Sequence, residues 1–263
     1  MFLELTSIYF FLKSKLPLSG IFAGLAFNSY TPGRFFFVLP AFFIGLDLVQ
    51  KHWARKAIKQ ALLFFIPFVV VIIPLMFYLI TNQDTRVDRL FFWKNHEMTL
   101  GEKVSGTWQN ITTVSSMFFF KGDVNGKHNY PGKPALNPVI GLLFIAGLIL
   151  ALKRFKDFHN SFFLLYFALS FLPSIMIYPW ENPSMLRTFT IIPSVVYFIG
   201  LSFSAISKNY KFKYLNIIFI AVVIASSLYE IRTYFQFQSS VFESAFETKP
   251  KLEDALKQTN FKY

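Results

Sequence analysis

Six residues hold the side chains best suited to chemistry: Arg34, Arg187, Asp123, His128, Asn129 and Tyr30. Arg34 and Arg187 stand at the ends of apolar runs. An arginine there either snorkels to the membrane interface or grips a phosphate through parallel N–H···O bonds. Two such cations at one depth suit a substrate with an apolar tail in the bilayer and a phosphate at its surface, the build of a polyprenyl-phosphate sugar. Asp123, His128 and Asn129 lie together in the polar run 121–134. Gly122, Gly126, Pro131, Gly132 and Pro134 would make that run a rigid turn, or it forms one wall of a sugar or acceptor site. The four histidines (His52, His96, His128, His159) have no metal-ligand spacing. The acids Asp84, Asp88, Asp123 and Glu181 are only weak metal candidates, so the metal stays unknown. No Walker loop, dinucleotide fingerprint, zinc motif or nucleophile elbow is present, and no cofactor is expected. Arg86, Asp88 and Arg89 read as a solvated charge run. Asn110-Ile-Thr112 matches a glycosylation sequon inside a predicted helix.

The elements that must position these residues are membrane helices. Of 263 residues, 54% are hydrophobic and only 15% charged, with 36 Phe; a soluble domain carries about 25% charged residues. The fold class read from this is all-α, a polytopic helical membrane protein. About eight membrane segments are predicted: 1–12 (partial), 16–30, 35–49, 61–80, 139–152, 161–178, 188–206 and 214–228. Several are short of the ~20 residues that span a bilayer, so tilt, thinning or burial must make up the length. Gly20 and Gly24 have the small-xxx-small spacing that lets helices approach. The absence of Cys excludes disulfides and thiolate metal sites.

Alternation puts the loops at 13–15, 51–59, 153–156 and 208–213 on one side. They hold nearly half of the 26 Lys and Arg. The positive-inside rule makes that side cytoplasmic, which accounts for the net charge of +12 without nucleic acid. The chain then divides into membrane helices at 1–80, an extracytoplasmic loop at 81–138, membrane helices at 139–228 and an extracytoplasmic tail at 229–263. The expected location is the cell (inner or plasma) membrane. Within the long loop, Thr99-Leu-Gly-Glu102 has capping-box spacing. Leu100, Val104, Trp108, Ile111 and Phe118 give the following helix one apolar face. That helix lies in the outer interface or packs on the protein's own outer face; the residues before it read as a spacer. In the tail, Leu252, Ala255 and Leu256 suggest a short amphipathic helix.

Four stretches together resemble a known family. They are Gly24-Leu-Ala-Phe-Asn-Ser-Tyr30-Thr-Pro-Gly-Arg34, Met117-Phe-Phe-Phe-Lys-Gly122-Asp123-Val-Asn125-Gly-Lys-His128-Asn129-Tyr-Pro131-Gly132-Lys-Pro134, Asn137-Pro138 leading into Gly141 to Gly147, and Leu186-Arg187 with Pro193. Over 1–206 the chain is similar to bacterial GT-C type membrane glycosyltransferases, the family 39/83-like enzymes related to protein O-mannosyltransferases and the lipid A aminoarabinose transferase. The resemblance implies hexosyl or pentosyl transfer from a polyprenyl-phosphate donor on the extracytoplasmic face. It implies that Arg34 and Arg187 bind the donor phosphate. Tyr30, Asp123, His128 and Asn129 are the sugar- or acceptor-binding candidates. The family's catalytic carboxylate lies in a first outer loop that would precede Met1, and Glu4, within a helix, is a poor substitute. The chain is therefore read as an N-terminally truncated, donor-binding portion, inactive alone. The alternative is a non-catalytic membrane protein of lipid-linked glycan assembly or transport. An ion-coupled carrier is disfavoured because no ionisable residue is expected mid-span; Asp47 falls near a span's end.

Overall fold

The computed structural model describes residues 1–82, 91–209 and 214–241. Asp84, Arg86, Asp88, Arg89, Lys211, Lys213 and the suggested tail helix at Leu252 to Leu256 lie outside the described residues. The order is α1 (Phe2–Leu12), α2 (Leu16–Ser29), a 3₁₀ turn (Thr31–Phe35), α3 (Val38–Gln50), α4 (Arg55–Thr81), α5 (Leu100–Ser116), α6 (Pro138–Lys153), α7 (Phe158–Ile175), α8 (Met185–Thr188), α9 (Ile192–Asn209) and α10 (Leu215–Arg232). Among the described residues five stretches are long and apolar enough to cross a membrane: Thr31–Gln50, Arg55–Thr81, Phe158–Ile175, Met185–Lys208 and Leu215–Val241. Phe2–Leu12, Leu16–Ser29 and Pro138–Lys153 are shorter apolar helices, so each of the eight predicted segments is helical but three fall short of spanning length.

Lipid offers little hydrophobic drive for helix association, so close packing and buried polar bonds must supply it. Both are present. At Gly20 a Cβ would stand 2.2 Å from the Phe64 carbonyl oxygen, and at Gly24 2.8 Å from the Val71 Cβ; α2 and α4 meet backbone to backbone along the small-residue stripe. Ser7 and Ser19 exchange hydroxyl-to-carbonyl bonds of 2.9 and 3.0 Å between α1 and α2. Asn28 donates to Val71 O at 2.9 Å, one turn before the helix-interior Pro74.

α7 is the shared wall of two cores. Phe162 and Tyr166 join Ile8, Ala23, Leu39 and Phe64 in the first, and Phe171 joins Val114, Phe118, Phe144, Val195 and Phe198 in the second. The ends of the bundle differ. Ser14, Lys51 and Lys156 line one pocket, so three of the basic loops gather at one end. At the other end Tyr30 meets Phe189, Asn95 donates to the Tyr178 hydroxyl at 3.0 Å, and Lys133 pairs with Glu230 near the end of α10.

The capping box predicted at Thr99 is formed. The Glu102 carboxylate accepts from the Thr99 backbone N–H at 2.7 Å and from its hydroxyl at 2.9 Å, and Thr99 Oγ accepts in turn from Glu102 N. The Thr99 backbone bond foremost, then its hydroxyl, holds the Glu102 carboxyl below its ordinary value. A depressed folded pKa contributes stability above the unfolded pKa and loses it as pH falls through the folded one. Protection of the Thr99 amide from hydrogen exchange should therefore hold at neutral pH and fall stepwise below the ordinary carboxylate range. Glu102→Gln should remove the step; an unchanged step would assign it to another group.

The rest of the long loop departs from expectation. α5 packs inward through Gly106, Asn110 and Val114, while Leu100, Val104 and Trp108 stay 71%, 56% and 67% exposed. The predicted apolar face is thus divided: the helix docks through Gly106, Asn110 and Val114, its first two turns keep Leu100, Val104 and Trp108 outside, Ile111 is half-buried and Phe118, just past its end, enters the second core. Nor are the residues before it a free spacer: Phe92 is fully buried against Gly106, and Trp93 Nε1 donates to Thr107 at 3.0 Å. Asn110, the sequon residue, is fully buried; its amide donates to Ile175 O and Ile177 O at 2.9 and 2.6 Å and accepts from Asn182 at 2.8 Å. It staples α5 to the end of α7 and is closed to glycosylation in this fold.

The first turn of α1 carries a buried carboxyl group. Glu4, 2% exposed, faces inward from α1 and accepts a 2.6 Å bond from the Tyr166 hydroxyl of α7. Its other oxygen lies 4.0 Å from the Met1 amine, and its burial against a central helix makes it an interior carboxyl group.

Candidate functional site

The candidate site is built on the loop between α5 and α6. Its two ends zip together, Ala135 N to Met117 O at 2.9 Å and Leu136 N to Phe118 O at 3.1 Å. Further out Gly122 N donates to Gly132 O and Gly132 N to Asp123 O. This closure needs its glycines: a Cβ on Gly122 would stand 1.8 Å from Lys133 O, and Gly132 has φ +76°, a conformation that favours glycine. Asn137 then caps α6 by accepting from Ile140 N at 3.1 Å, with Pro138 at the first turn.

Asp123 is the hub. It is 2% exposed. One carboxylate oxygen accepts from Asn125 N at 2.8 Å; the other accepts from Met185 N at 2.9 Å and lies 3.2 Å from His128 Nδ1. The carboxylate therefore ties the loop to the start of α8 and orients the imidazole. A carboxylate on Nδ1 leaves Nε2 as the working nitrogen, able to bind an anion or move a proton. Asn129 is turned the other way: its amide donates to Lys133 O at 2.6 Å and more weakly to Asp123 O at 3.4 Å. Of the three residues grouped from sequence, only His128 faces outward; Asp123 acts through it and Asn129 braces the loop.

His128 opens onto a groove of about 640 Å³. Lys127, His128 and Thr188 stand at its polar mouth, and Ile140, Val195, Val196 and Ile199 from α6 and α9 line its length. No signal in the sequence marked this groove, because its walls come from four separate segments.

The two arginines are placed differently. Arg187 lies on α8, between groove residues Leu186 and Thr188. Its guanidinium donates to Glu181 Oε2 at 2.8 Å and to Glu181 O at 3.1 Å. Arg34 sits in the 3₁₀ turn, with its Nε buried and without a partner among the described residues. The corners carrying them meet through Tyr30 and Phe189, whose ring centroids are 6.1 Å apart; Phe189 also lines the groove. Asp123 and Glu181, two of the weak metal candidates, are engaged by His128 and Arg187. Among the described residues no three His, Asp or Glu side chains gather where a metal could sit.

All described regular structure is helical, the apolar helices are of spanning length in five cases, and the loops gather at two ends. These features define a multi-pass helical membrane protein. No protein-family model, curated protein or solved structure matches the chain.

Proposed function

We propose that this chain binds the donor for a GT-C type membrane glycosyltransferase, which takes a sugar from a polyprenyl-phosphate carrier on the extracytoplasmic face. One observation carries the reading: one groove is lined both by apolar side chains of α6 and α9, of which Val196 and Ile192 are exposed, and by Lys127 and a carboxylate-oriented histidine. Prenyl units would lie along Ile140, Val195 and Ile199, where apolar contact replaces lipid. The phosphate would meet Lys127 and His128 Nε2. Arg187, now bonded to the Glu181 carboxylate and carbonyl, would exchange the carboxylate for the phosphate. Tyr30 packs near the groove residue Phe189, and Arg34 would reach the phosphate from the same turn. The basic end of the bundle faces the cytoplasm on this reading, by the positive-inside rule.

The test is binding of a short-chain polyprenyl phosphate to the purified protein in nanodiscs, by isothermal titration. Losing one hydrogen bond to a charged group costs about 1.5–3 kcal/mol, roughly 10–100-fold in Kd. His128→Ala and Arg187→Ala should each weaken binding by that much. Leu142→Ala, on an exposed face of α6, should leave it unchanged. Unaltered affinity in both site variants, or equal binding of the uncharged polyprenol, would remove the proposal.

A further inference from the structure

The opposite end of the bundle carries a second pocket of about 640 Å³, and no part of the donor-binding reading uses it. It lies where α1, α3, α4 and α7 come together. Phe11, Phe43, Ile44 and Phe158 supply apolar walls, and Lys51, Lys156, His159, Gln50 and Gln60 a polar rim. The one acid on the rim, Asp47, is bound to Lys51 at 2.6 Å, which fixes that ammonium at the edge. Lys156 and His159 come from the other side and are both exposed. Lys13, Lys15, Arg55, Lys56, Lys59, Lys153 and Arg154 stand on the same loops, so the surrounding field is positive.

We propose that this pocket binds the phosphate headgroup of an anionic membrane lipid. The walls decide between a lipid and a soluble phosphate. Leu12, Leu46 and Phe158 line the pocket and are 41%, 39% and 45% exposed, so its apolar side runs out onto the lipid-facing surface. A soluble anion would gain nothing there; acyl chains would. The depth also fits. Trp53, 64% exposed beside Lys51, is the residue type that settles at headgroup level. Basic pockets between membrane helices are a known means of holding anionic headgroups. The site is independent of the groove at His128, so either can fail without the other.

The experiment uses the whole protein reconstituted with phosphatidylglycerol and phosphatidylcholine in equal amounts. Retained lipid is counted by native mass spectrometry after release from detergent. Phosphatidylglycerol should be retained at least fivefold over phosphatidylcholine. The double variant Lys156→Ala/His159→Ala should abolish the preference, since both side chains are exposed and their loss leaves the cores intact. Lys121→Ala, at the other end, should keep it. Equal retention of the two lipids, an unchanged preference in the double variant, or displacement of the lipid by millimolar inorganic phosphate would each overturn the proposal, the last by assigning the rim to a soluble anion.

Discussion

Gly147→Ala is expected to be the most damaging one-methyl change in the protein. A Cβ there would stand 1.7 Å from Phe198 O and 2.4 Å from its carbonyl carbon. Neither is the free end of a side chain, so α6 and α9 must move apart as rigid bodies. Overpacking a core costs about 1–3 kcal/mol when side chains can adjust, and here the obstacle is backbone. We expect a loss at or above the top of that range. The groove should suffer as well, because Ile140 is on α6 and Val195 and Ile199 are on α9. Gly200 provides the control: it is on α9, with nothing within 4 Å of its Cβ position. Gly200→Ala should be neutral or stabilising by up to about 1 kcal/mol through helix propensity. Thermal unfolding in one detergent compares the two. Equal melting of Gly147→Ala and the parent would mean that α6 and α9 do not approach this closely.

The same contrast shows which features could be read from the sequence. The spacing of Gly20 and Gly24 marked a stripe where some helix could approach, though not that the helix would be α4. Gly147 and Phe198 could not be paired, since nothing local links residues so far apart. The membrane segments and the gathering of basic loops were legible, because hydropathy and charge are properties of each segment alone. The capping box at Thr99 was legible for the same reason. The facing of α5 was half legible. Leu100, Val104 and Trp108 do share a face, but beside a membrane the apolar face need not be the buried one. Asn110 and Gly106 are the packing residues, against the rule that serves in water. At the candidate site, spacing brought Asp123 and His128 into one loop. It could not show that Met185 N would compete for the same carboxylate, nor that Asn129 would turn inward. The position of Arg187 at the end of an apolar run fits snorkelling or a phosphate equally and does not reveal an ion pair. Its partner Glu181 lies only six residues away, but the turn that folds it back became visible only in three dimensions.

Glu4 and Tyr166 should show the largest energetic coupling of any side-chain pair in the bundle. They lie on α1 and α7, both nearly inaccessible, and are joined by a 2.6 Å bond. Gly33 packs beside the pair: a Cβ on that residue would meet the Ala26 carbonyl oxygen at 2.7 Å first and Glu4 Oε1 at 3.3 Å. Tyr166→Phe removes the donor and leaves a buried carboxyl group short of a partner. Glu4→Leu leaves a buried hydroxyl in the same position. An unsatisfied buried polar group costs about 1–3 kcal/mol, more when charged, so each single change should destabilise by that order. Replacing both partners with apolar groups is often close to neutral, so Glu4→Leu/Tyr166→Phe should recover most of the loss. Hydrogen bonds between membrane helices couple by about 0.6 kcal/mol on average, with a maximum near 1.7. A carboxyl bonded to a phenol, both nearly inaccessible, should lie toward that maximum. Denaturant unfolding of the four proteins in mixed micelles yields the coupling directly. Additive single and double effects would mean that the two groups do not interact in the folded protein. Strong coupling would instead establish that α1 is locked onto α7 by a polar bond, beside the 3₁₀ turn that contains Gly33 and Arg34.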